Sequence, residues 1–122
     1  MNTPENITAL KPHEVFVFGA NADGMHLAGA AAAAFDRFGA AWGQSDGLHG
    51  QTYAIDTMSG LETLSAAVDR FIGFAFEHPE LTFLVTKIGT GIAGYTVGDV
   101  APLFAVRPSN VVLPVEFEAV LA

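Results

Sequence analysis

Gly89, Gly91 and Gly94 stand in the run GTGIAG, directly after the apolar stretch Leu81 to Ile88 and ahead of a helical pattern. Glycines let a backbone approach a ligand closely and present its amides to an anion, and a following helix amino terminus adds partial positive charge. Gly89, Thr90, Gly91, Ile92, Ala93 and Gly94 are therefore read as a phosphate-binding loop; the alternative is a glycine turn that serves only tight packing. The ring of Tyr95, next in sequence, is placed either to cover a ribose or to anchor the loop. A dinucleotide fold puts such a fingerprint at its first strand with several further strand–helix units behind it. Too little chain follows Gly94 for that, which excludes a conventional Rossmann domain.

A second segment, Gly19-Ala20-Asn21-Ala22-Asp23-Gly24, also sits at a strand end, with His26 just beyond it. The Asn21 amide can donate to and accept from a sugar hydroxyl, and Asp23 can accept a hydrogen bond or orient a water. An Asx-type turn that caps a helix is the competing reading. His26 and His49, the latter within a glycine-bearing segment, are the candidate proton-transfer groups, since imidazole is the side chain most often used for that work, each weighed against a plain surface histidine. His13, His26, His49 and His78 show no metal-ligand spacing, so no metal site is expected. Ser45, Ser59, Ser65 and Ser109 lack a nucleophile-elbow sequence.

These loops need elements to hold them. Glu14 to Phe18, EVFVF, reads as a buried strand entered at Pro12, and Ala28 to Phe38 as an alanine-rich helix closed by Gly39. Its five alanines, Ala30 to Ala34, leave a helix face thin enough for another backbone to pack closely. Gly39 to Gln51 reads as a long functional loop, and Thr52 to Asp56 as a second strand. Ser59 and Glu62 have capping-box spacing ahead of a helix whose apolar stripe is Leu61, Leu64, Val68, Phe71, Ile72 and Ala75, ending at Pro79. Leu81 to Ile88 is a third strand. Asp99 caps a short helix to about Val106, Asn110 to Leu113 makes a last strand, and Pro114 to Ala122 holds a helical turn or two. Strands alternating with helices imply a layered α/β domain, a largely parallel sheet with helices on both faces, whose ligand sites lie beyond the carboxyl ends of the strands.

Composition narrows the function classes. Thirteen acidic against five basic residues give a formal net charge of -8, and Lys11, Arg37, Arg70, Lys87 and Arg107 are scattered, so no nucleic-acid groove is expected. No apolar run reaches membrane-spanning length, and the polar start with Glu5 does not read as a signal peptide. With no cysteine, disulfide and thiolate chemistry are excluded and a cytoplasmic location is the expectation. Trp42 and the ten phenylalanines are read mostly as core. Residues 1–122 form one domain, with 1–12 as an amino-terminal arm. A mean hydropathy of +0.39 makes self-association, as a homo-oligomer, an expectation.

Two long segments carry a family resemblance. VFVFGANADGMHLAGAAAAAF is similar to the strand, asparagine-bearing loop and small-residue helix of macrodomains, and FLVTKIGTGIAGYTVGDVAPLF to their strand, diphosphate loop and following helix. The chain also resembles a group of short bacterial and phage proteins with patterns of the type FGxNxxGxHxxGAA, GQGxGLxGxxYAIPT and TxIGxGxAGY, over nearly everything from Val15 to Pro114. Macrodomains recognise ADP-ribose and in some branches hydrolyse its linkages. The resemblance implies a three-layer fold with a mixed, mostly parallel sheet, lacking the family's usual amino-terminal strands, for which there is almost no room before Glu14.

It further implies that Asn21 hydrogen-bonds the distal ribose, with Gly19 also among the ligand-binding residues, that Gly89 to Gly94 wrap the diphosphate, that Tyr95 lies near the distal ribose, and that Phe117 is the candidate for an adenine-stacking aromatic. No cofactor is implied. The lysine-dependent branch fits poorly, because the only lysines are Lys11 and Lys87 and its acidic loop residue is matched by Ala93. The remaining scheme has water attack the anomeric carbon through an oxocarbenium-like transition state, with Asn21 positioning the sugar and Asp23, His26 or His49 orienting or deprotonating the water. Two non-catalytic alternatives stand beside it: a nucleotide sensor, and an interaction protein that keeps the fold without the pocket.

Overall fold

A computed structural model describes residues 1–25 and 29–122. Strand β1, Glu14–Ala20, alternates its side chains between two apolar layers: Val15 and Val17 enter one, Phe16, Phe18 and Ala20 the other. A strand apolar on both faces belongs in the middle of a covered sheet, and β1 is the centre of a five-stranded one. Its neighbours are β3, Thr52–Asp56, and β4, Thr82–Val85, both parallel to it, with Phe16 opposite Thr52 and Glu14 opposite Thr82. Strand β5, Val111–Val112, extends the sheet in parallel beyond β4, and β2, Gly47–His49, is the antiparallel edge beside β3. The fold is therefore mixed α/β with a mostly parallel sheet, and no strand precedes Glu14 among the described residues.

The larger layer is built from aromatic rings. Helix α2, Leu61–Glu77, buries Leu64, Ala67, Val68, Phe71 and Ala75, close to the stripe its periodicity predicts, with Leu61 exposed instead. Phe71 meets Tyr53, Phe83 and Phe104 edge-on at centroid distances of 5.0, 5.3 and 6.2 Å. Helix α3, Val97–Val100, runs into a 3₁₀ turn, Ala101–Phe104, and helix α4, Val115–Leu121, follows Pro114. On the opposite layer, helix α1, Gly29–Ala33, continues as a π-helical turn, Ala34–Phe38, that Gly39 closes with φ of 90°.

Several local expectations change. The Ser59–Glu62 capping box does not form: the Ser59 hydroxyl donates to Asp56 Oδ2 at 2.6 Å and Gly60, with φ of 99°, caps α2. Asp99 is the third helical residue rather than the cap, because Thr96 and Asp99 make the reciprocal capping box, at 2.9 and 3.1 Å. The expected loop from Gly39 to Gln51 contains β2, which turns back through Gly50 and Gln51 to pair His49 with Thr52. A Cβ on Gly50 would lie 2.8 Å from the carbonyl oxygens of both Phe38 and Gly39, so the hairpin seats directly on the end of the π turn. The amino-terminal arm is docked: the Thr3 amide donates to the Leu113 carbonyl at 2.9 Å and its hydroxyl to the Val112 carbonyl at 3.0 Å, while Ile7 and Leu10 pack on the Phe16–Phe18 layer.

Candidate functional site

From β1 the chain crosses the α1 face to reach β3 on one side, and from β3 it crosses the α2 face, past β1, to reach β4 on the other. Connections that diverge in this way open a crevice outside the carboxyl ends of β1 and β4, where open α/β sheets bind ligands. Both segments singled out by sequence leave the sheet at this edge.

The loop after β4 is closely organised. The Thr86 amide and hydroxyl both donate to the Val17 carbonyl, at 3.1 and 2.8 Å, which ties the end of β4 to β1. Gly89, with φ of 75°, is buried so that a Cβ there would sit 3.3 Å from Tyr95 and Val100. The Tyr95 amide donates to the Gly89 carbonyl at 2.9 Å, and the Gly94 amide to the Gly91 carbonyl at 3.0 Å. Thr90 turns its hydroxyl inward to the Lys87 carbonyl at 2.8 Å. The amides of Gly91, Ile92 and Ala93 have no acceptor among the described residues, and the Ile92 side chain is 89% exposed. Tyr95 packs against the aromatic layer, which is the loop-anchor role rather than an open ring.

Asn21 closes its own loop. Its Oδ1 accepts from the Met25 amide at 2.9 Å and its Nδ2 donates to the Met25 carbonyl at 3.2 Å, the local turn that was the competing reading of this segment. One position on each side of the amide remains for a ligand. Gly19 lies against Thr57, and Asp23 is exposed in the turn. His26 lies outside the described residues.

Two candidates are corrected. His49 pairs with Thr52 at the start of β3, whereas Gly19 pairs with Ile55 near its end. Three residues of strand separate those levels, roughly 10 Å, so His49 stands toward the amino edge and does not share a sugar with Asn21. Phe117 is fully buried against Phe104, at 6.0 Å between centroids, and stacking on a base would mean pulling it from the core.

The residues that sequence reading missed line a cleft of about 800 Å³ on the α1 face. Phe16 lines it from the sheet; Gly29, Ala30, Ala33, Asp36 and Arg37 form the helical wall; Thr86, Lys87 and Glu116 come from the end of β4 and the start of α4; and the arm from Thr3 to Thr8 closes the remaining side. Its size suits a drug-sized organic ligand. None of the ligand residues proposed from sequence lines it, although Lys87 stands two residues before Gly89, the first of the six in the glycine loop. The signal for its helical wall was the alanine run, whose small side chains leave space. Lys87 Nζ lies 3.3 Å from Glu116 and 3.8 Å from Glu5. A backbone amide at the start of α4 and then Lys87 hold the Glu116 carboxyl below its usual range. Arg37 makes no ion pair among the described residues.

Among the described residues no group of three acidic or histidine side chains is placed to hold a metal ion, and no helix is long and apolar enough to cross a membrane. Compared with known proteins, the chain matches no family model, no curated protein and no solved structure. Free amides thus stand at one sheet edge, and near them lies a roomy cleft lined by two cations, Arg37 and Lys87, and by three carboxylates, Glu5, Asp36 and Glu116.

Proposed function

We propose that this chain binds ADP-ribose or a related nucleotide diphosphate at the carboxyl edge of its sheet, as its resemblance to macrodomains implies. The observation that carries this reading is the loop after β4, where the amides of Gly91, Ile92 and Ala93 lack acceptors among the described residues, beside the point at which the connections diverge. Backbone amides bind phosphate oxygens without needing side-chain charge, which suits a protein whose net charge of -8 gives an anion no long-range attraction. Lys87 links this loop to the cleft, so an elongated ligand spans both.

Binding without turnover is favoured over hydrolysis by one specific finding. His49 is held at the level of Thr52, away from Asn21, which leaves Asp23 as the one acid–base group of the hydrolytic scheme beside Asn21 among the described residues. Hydrolysis is tested by turnover of ADP-ribosyl substrates in Asp23→Ala and His26→Ala; loss in either restores the enzymatic reading.

Calorimetric titration with ADP-ribose, repeated on Gly91→Glu, tests the binding proposal. Binding in the parent that disappears in the variant supports the loop as the diphosphate site. No heat and no thermal shift with ADP-ribose, ADP or NAD would sink it and favour a protein that acts through contacts with other chains.

A further inference from the structure

We propose that Lys87 anchors a phosphate-type anion in the α1-face cleft, and that Glu5 of the amino-terminal arm is a built-in competitor which that anion displaces. This deepens the binding reading above and rests on it only in requiring an anionic ligand.

Lys87 Nζ faces two carboxylates that are not equivalent. Glu116 sits on α4 at 3.3 Å, within hydrogen-bonding reach. Glu5 sits at 3.8 Å, too far for a hydrogen bond, on an arm segment without regular secondary structure, and its side chain is 76% exposed. The arm is fixed two residues earlier, where Thr3 makes two hydrogen bonds to the β5 end of the sheet. The Glu5 side chain can therefore turn to solvent while Thr3 and Ile7 stay seated, whereas Glu116 is the carboxylate that accepts a hydrogen bond from Lys87.

An ammonium group has three donors and no fixed plane, so it exchanges one oxygen partner for another readily. A phosphate group brings more negative charge to Lys87 than the Glu5 carboxylate does, and in the same cleft it meets Arg37, which has no ion partner among the described residues, beside the carboxylate of Asp36. In the absence of ligand, Glu5 keeps the lysine neutralised and the arm drawn over the cleft. In its presence, the lysine changes partner and the Glu5 side chain turns outward from an arm that stays docked through Thr3 and Ile7.

The test is calorimetric titration of inorganic pyrophosphate, and separately of ADP-ribose, into the parent chain, Glu5→Gln, Lys87→Met and a control, Glu77→Gln, whose carboxylate is exposed on α2 away from the cleft. Glu5→Gln is expected to bind about two- to fivefold more tightly, the scale of one exposed ion pair. Lys87→Met should bind on the order of tenfold more weakly or not at all, and Glu77→Gln should match the parent. Both substitutions alter half-exposed or exposed side chains, so folding is not at stake. Unchanged or weaker binding in Glu5→Gln, parental binding in Lys87→Met, or an equal gain in Glu77→Gln would overturn the proposal. Pyrophosphate following the expected pattern while ADP-ribose fails to bind would uphold it and remove the nucleotide reading. ADP-ribose binding that ignores Glu5 and Lys87 would do the reverse, and silence of both ligands with every variant would remove both.

Discussion

The two faces of the sheet are built from different materials. Behind α2 lie Phe71, Phe83, Phe104 and Phe117, all fully buried and in edge-on or tilted contact. In front, α1 offers alanines, a π turn and a docked arm, and the small layer of Phe16, Phe18 and Phe38 ends at an open cleft. Large interlocked rings exclude water and supply stability. Small side chains leave volume, and volume beside backbone amides and cations is what a ligand needs. One face thus holds the sheet in shape so that the other can remain incomplete, and π-helical turns such as Ala34–Phe38 recur where helices serve function.

Phe71→Ala breaks the comparison most severely. Phe71 is fully buried and touches rings from β3, β4 and the 3₁₀ turn, so its loss is expected to cost about 3–5 kcal/mol, read as a fall in ΔG of unfolding by urea titration. A loss below about 1 kcal/mol would mean that the aromatic layer is not the stabilising one. Gly50→Ala is expected to cost roughly 2 kcal/mol by the same measurement, because φ of 58° disfavours a side chain and the new Cβ would press on two carbonyl oxygens at the end of the π turn.

Ala30→Trp sharpens the contrast from the other side. Ala30 is exposed on the cleft wall, so an indole there fills ligand space without entering either core. ADP-ribose binding should weaken at least about tenfold, about 1.4 kcal/mol, while the thermal midpoint stays near that of the parent. A variant that unfolds early yet binds normally would reverse the roles assigned to the two faces.

The fold was largely legible because its signals are local and redundant. EVFVF alternates into two apolar layers, TYAID matches β3 from end to end, and the spacing of Leu64, Val68, Phe71 and Ala75 follows one helical stripe. What escaped depends on partners distant in sequence. GLH becomes a strand only because Thr52 lies across a two-residue turn, and Ser59 loses its cap role to the carboxylate of Asp56. The candidate site was less legible still. The glycine loop and Asn21 stand at the predicted edge, but the cleft is assembled from the arm, α1, Lys87 and Glu116, which no spacing connects. Phe117 shows the same limit in reverse: an aromatic in a short terminal helix gives no sign of which face it presents until Phe104 is placed beside it.

The smallest expected effect concerns Tyr53, whose hydroxyl belongs to the aromatic layer yet neighbours charge. Burial first, and then Asp46, raise its pKa above the ordinary 10.0, while Arg70, paired with Asp46 at 2.9 Å, opposes them. A folded-state pKa raised above the unfolded value means that the native chain holds the proton more tightly. The resulting stabilisation is present in full below the unfolded pKa and is lost as pH rises through the folded one. Tyr53→Phe has no proton to lose, so its urea midpoint should match the parent's closely near pH 7 and fall less steeply between about pH 9 and 11. If parent and variant descend together over that range, the hydroxyl is as well solvated folded as unfolded, and the aromatic face is wetter at its edge than its packing implies.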